Sequence, residues 1–212
     1  MLLRLAALCG LLAPVAFVVG LVVGDLVQPD AFSPADDNIS DLGALTASSP
    51  WLYNQVASNL TGLLILGLAL GLWSALGSGL LARLGVLALI VVGTGRFLEG
   101  FLRLDCQGID VACDNDSWHS SAHRVESGIS AAATVLAPLV LAFAFRRLPA
   151  WRPVWLPTLL ALPASLAAAV LFSIIGDGAS TRASTIVWVL WLGLVAFWLL
   201  QVAERRTVGP PP

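Results

Sequence analysis

The chain alternates long apolar stretches with short polar ones, and six of the apolar stretches are long enough to cross a bilayer. They run over 4–27, 51–77, 82–104, 120–145, 154–175 and 184–202. At ~1.5 Å of rise per residue each spans a hydrocarbon core of ~30 Å as a helix. The pattern predicts an all-α, six-helix transmembrane bundle with both termini cytoplasmic. Residues 1–205 form a single polytopic membrane domain, and 206–212 a disordered tail. The first stretch, Arg4 to Val27, is too long for a signal-peptide core and has no small-x-small cleavage site before Gln28. It is expected to stay as a helix, bent at Pro14.

Composition agrees with this reading. The 212 residues are 58% hydrophobic and 11% charged, with mean hydropathy +0.89, whereas a soluble domain carries about 25% charged residues. The net charge of -2 offers no basic field for nucleic acid. All 11 cations are Arg. That bias, with abundant Ala, Leu and Gly, suggests a bacterial source and hence a bacterial inner membrane.

Charge placement orients the bundle. Arg4, Arg83, Arg146, Arg147, Arg152, Arg205 and Arg206 fall at one set of helix ends, which the positive-inside rule makes cytoplasmic. Arg96, Arg103, Arg124 and Arg182 fall towards the other. The connections on the cytoplasmic side, 78–81 and 146–153, are short. Those on the outer side, 28–50, 105–119 and 176–183, are longer and hold most of the acids.

Candidate chemistry gathers at that outer end. Cys106 and Cys113 share one outer loop, and their spacing on the oxidising side predicts a disulfide. His119 and His123 stand at i, i+4 at the start of the fourth span, on one helical face. Two His one turn apart make half of a zinc site, with Asp41, Asp105 or Asp114 as candidates to complete it; capping of the helix start is the simpler role. Arg96, Glu99 and Arg103 share a face of the third span. A charge at the depth of Arg96 is costly in lipid, so it should face the bundle or a wet cavity, with Glu99 as its partner. In the outer half of the second span, Asn54, Ser58 and Thr61 lie on one face and Gln55 and Asn59 on the next. Such groups either hold helices together or line a pocket.

The first outer loop reads Ser40-Asp41-Leu42-Gly43. With Asp105 closing the third span, a His opening the fourth and Arg182 before a Trp-bearing last helix, this ordered set resembles the membrane family called domain of unknown function 998. The resemblance covers about 10 to 200 and implies six helices and a membrane location, with no established activity to carry over. It places Asp41, Asp105, one of the two His and Arg182 at polar family positions, and the Cys106–Cys113 segment departs from a shorter family loop. A more distant analogy is to the CREST membrane hydrolases, which combine Ser, Asp and His around zinc in seven helices. Ser40, Asp41, His119 and His123 would supply those ingredients in six.

The expected function is therefore an outward-facing polar pocket acting on a lipid or isoprenoid-like amphiphile. One version is a zinc-dependent lipid hydrolase, with His119, His123 and Asp41 as metal ligands. Another is a metal-free, acid-catalysed isoprenoid cyclase or isomerase drawing on Asp41, Glu99 or Asp105. In both, Arg96, Arg182, Asn54 and Ser58 bind the substrate. The alternative outside catalysis is a lipid-binding or scaffold protein. A transporter fits poorly, since the cytoplasmic halves of the spans are almost wholly apolar. An outward-facing site of this kind requires Asp41, Arg96, Glu99, His119, His123 and Arg182 to surround one cavity.

Overall fold

The computed structural model describes residues 1–208, and the part of the expected tail over 209–212 lies outside the described residues. Six long helices carry the fold: α1 (Leu2–Leu26), α2 (Pro50–Ala75), α3 (Leu80–Glu99), α4 (Trp118–Arg147), α5 (Arg152–Phe172) and α6 (Asp177–Val208). All six are long and apolar enough to cross a membrane. Residues 206–208, expected in the tail, continue α6, and Arg206 donates to the Ala75 carbonyl at 3.1 Å. There is no strand among the described residues.

Each helix packs mainly on its neighbours in the chain, and α6 closes the ring against α1. Short connections enforce that order, because a helix joined by a few residues can only return antiparallel beside its predecessor. Leu68, Leu89, Leu141, Leu192 and Leu199 are fully buried inside the ring, while Leu5, Leu12, Leu63, Leu84 and Leu160 point outwards. In lipid the outward leucines are already solvated, so helix contacts depend on small residues and close fit. Gly20 of α1 shows this: a β-carbon there would lie 2.5 Å from the Ala57 backbone nitrogen of α2.

Two helices depart from simple geometry. Within α2, Tyr53–Leu60 forms a π-helix, framed by α-helical Pro50–Leu52 and Thr61–Ala75. The wider turn alters which side chains face the bundle, and such segments often mark functional sites. The third helix ends at Glu99, five residues before its expected end, so Arg103 lies in the following loop.

The termini and the short connections share one end of the bundle. The longer connections cover the other. There the first loop contains a 3₁₀ turn, Ile39–Gly43, and the loop before α4 carries the Cys106–Cys113 disulfide. The two loops are tied together by Gln107, whose amide donates to Gln28 Oε1 at 3.0 Å and to the Asp41 carbonyl at 3.3 Å.

Candidate functional site

A chamber of about 400 Å³ opens beneath the first loop, between α2, α3, α4 and α6. Asn38, Ile39 and Ser40 line its loop side, and Tyr53, Arg96, Glu99, Glu126 and Ser130 supply most of its polar wall. The i, i+3 spacing of Arg96 and Glu99 lets the guanidinium close on the carboxylate, from Nη1 to Oε2 at 2.5 Å. The Tyr53 hydroxyl completes a triangle, donating to Glu99 Oε1 at 3.1 Å and accepting from Arg96 Nη1 at 3.3 Å. Arg96 and Glu99 therefore compensate each other at this depth.

On the opposite wall Glu126 takes a hydrogen bond from Ser130 Oγ, one turn along α4. Glu126 and Ser130 also border a second, almost entirely apolar cavity of about 560 Å³, lined by Ile90, Val91 and Leu98 of α3 and Val125 and Ile129 of α4. A third cavity of about 250 Å³ adjoins the chamber through Val92, Arg96, Thr134 and Thr185, and holds Ser165, whose hydroxyl has no partner.

Of the six residues expected around one cavity, the structure brings only Arg96 and Glu99 to the chamber. Asp41 is buried under the loop, where its carboxylate accepts from the Gly108 N–H at 3.3 Å, and burial pushes its pKa above the usual carboxylate range. Arg182 pairs with Asp25. His123 Nδ1 is 2.8 Å from the Leu102 carbonyl, so that nitrogen carries the proton, and Nε2 faces Ser127 Oγ at 3.4 Å. His119 is half-buried against the Trp118 ring, centroids 3.6 Å apart. The structure does not bring the expected metal set together. Asp41, His119 and His123 have separate neighbours, and no three His, Cys, Asp or Glu side chains among the described residues are placed to hold one ion.

Asp105, expected to be catalytic, instead accepts from the Ser117 N–H at 2.9 Å and Ser120 Oγ at 3.0 Å. Hydrogen bonds from Ser117 hold its pKa below the usual carboxylate range, and the arrangement secures the start of α4. Asn54 does not line the chamber; it donates to the Gly43 carbonyl at 3.1 Å and anchors the Ser40-Asp41-Leu42-Gly43 turn to α2. Ser58 is buried on the π segment with an unpartnered hydroxyl.

Asp25, the chamber-facing role of Tyr53, and the Glu126–Ser130 pair were not anticipated. Glu126 was legible by the same criterion as Arg96, an ionisable group well inside a span.

Helix number, apolar length and closed packing define a multi-pass integral membrane protein. The chain belongs to the family described as protein of unknown function (DUF998), whose model matches residues 11–198. No match emerged among curated proteins or among solved structures.

Proposed function

We propose that the protein binds a membrane amphiphile, with the polar head in the Arg96–Glu99–Tyr53 chamber and the chain in the adjoining apolar space. One observation carries this reading: Glu126 and Ser130 border both a polar chamber of about 400 Å³ and an apolar cavity of about 560 Å³. Small-molecule sites commonly combine mostly apolar walls with a few convergent polar groups at such volumes. By the arginine placement, the termini face the cytoplasm of a bacterial cell and the chamber faces the outer leaflet. The zinc hydrolase reading is not retained, because its ligand set is not assembled.

The test is extraction and mass spectrometry of the amphiphiles retained by detergent-purified protein. Thr94→Trp and Ile129→Trp place bulk in the α3–α4 cavity from exposed positions. Both variants should lose a retained amphiphile by at least about tenfold, roughly 1.4 kcal/mol, while keeping the wild-type melting temperature. Identical complements in wild type and variants would overturn the reading and favour a scaffold role.

A further inference from the structure

We infer that the amphiphile is headed by an amine, and that Glu126 recognises it from the groove between α3 and α4. The inference rests on the binding reading above and narrows it to a class of ligand.

The groove walls are apolar, and Glu126 is the one ionisable side chain that lines it. Gly95 makes room for this carboxylate, since a β-carbon there would collide with Ser130 Oγ and Glu126 Oε1. Glu126 stands eight positions beyond Trp118, the first residue of α4, about 12 Å along the axis. A carboxylate at that depth is costly unless something compensates its charge.

The protein supplies little compensation. Arg96 is closed onto Glu99 and Tyr53. His123, one turn before Glu126, directs Nδ1 to the Leu102 carbonyl and Nε2 to Ser127 Oγ rather than to the carboxylate. Glu126 Oε1 accepts from Ser130, and Oε2 has no hydrogen bond among the described residues. Arg96 and Glu99 cancel, so when Glu126 is ionised the chamber wall carries one net negative charge. An ammonium head on an apolar chain complements that carboxylate by a charge-assisted hydrogen bond while its chain occupies the groove. A phosphate or carboxylate head would meet a like charge, which costs affinity.

The experiment titrates detergent-purified protein with hexadecylamine, hexadecanol and hexadecyl phosphate, following occupancy by native mass spectrometry. Wild type should bind the amine at least about tenfold more tightly than the phosphate, and Glu126→Gln should abolish most of that preference. Equal affinities of wild type for all three probes would overturn the inference without recourse to any variant. So would a preference unchanged in Glu126→Gln. Thr94→Trp separates the two proposals. Unselective binding that this variant abolishes removes the amine preference and leaves amphiphile binding standing. If no probe responds to it, the binding site itself is refuted.

Discussion

Arg182 of α6 grips Asp25 of α1 with two nitrogens, Nη2 to Oδ1 at 2.7 Å and Nε to Oδ2 at 3.2 Å. The two residues are 157 positions apart, and the pair joins the first and last helices where the ring closes. Arg182 Nη1 also donates to the Asp37 and Gly178 carbonyls at 2.7 and 3.2 Å, so the same side chain secures the first loop. Both side chains are well shielded, at 10% and 17% exposure. Removing one partner strands the other in a poor solvent for charge.

Asp25→Asn should therefore destabilise the protein by about 3 kcal/mol. Joint replacement of Asp25 by Asn and Arg182 by Met should cost less than the sum of the single changes. Thermal melting in detergent across a double-mutant cycle checks this, and strict additivity would mean that the pair contributes no coupling.

Asn59 on the π segment presses its Oδ1 against Gly100, where a β-carbon would overlap it and would also lie 2.6 Å from the Asn54 carbonyl. Gly100→Ala should cost about 3 kcal/mol, at the upper end of overpacking effects. Adding Asn59→Ala should restore only part of the stability, because the Asn54 backbone contact remains. Folded yield and melting temperature of the three variants measure the effect; a fully tolerated Gly100→Ala would show that α2 and α3 separate freely.

Asp41 lies outside the membrane-spanning helices, and burial raises its pKa above the ordinary carboxylate value despite hydrogen bonds from Gly108 and Asn38. A raised folded-state pKa means that the folded protein binds the proton more tightly than the unfolded chain. The resulting stabilisation is full below the unfolded pKa and is lost as pH rises through the folded one. Wild type should lose stability on that rise, from about pH 4 upwards. Asp41→Asn, which can still accept from Gly108, should lack this component. Paired melting curves from acid to neutral pH decide it, and parallel curves would count against burial as the dominant influence on Asp41.

The Cys106–Cys113 bridge and the arginine distribution make a joint prediction about topology. A membrane-impermeant maleimide added to intact cells should label those two cysteines only after reduction. It should not label a cysteine introduced beside Arg205. The reverse pattern would invert the orientation. Loss of the bridge through Cys106→Ser with Cys113→Ser should cost about 2 kcal/mol, as expected for a short closed loop.

Span number and approximate limits, the helical class and the disulfide were legible in the sequence. The Arg96–Glu99 pair was legible too, because i, i+3 spacing on one helix is a local relation. Each of these depends on composition or spacing within a short stretch: apolar length sets what can cross a bilayer, and neighbouring cysteines in one loop need no distant partner. Contacts between helices were harder to read because they depend on how each helix is rotated about its axis. An i, i+4 spacing puts His119 and His123 on one side of α4, but His123 meets the Leu102 carbonyl beyond the end of α3 while His119 lies against the Trp118 ring. The π turn of α2 brings Tyr53 to the chamber while Asn54 reaches Gly43. The pairing of Asp25 with Arg182, and the placement of Glu126 opposite Arg96 and Glu99, arise only when the ring closes. Apolar length and local spacing determined six crossings and where their charges stand along them. Tertiary structure decided which charges meet, because helix rotation and close packing are set by all six helices together.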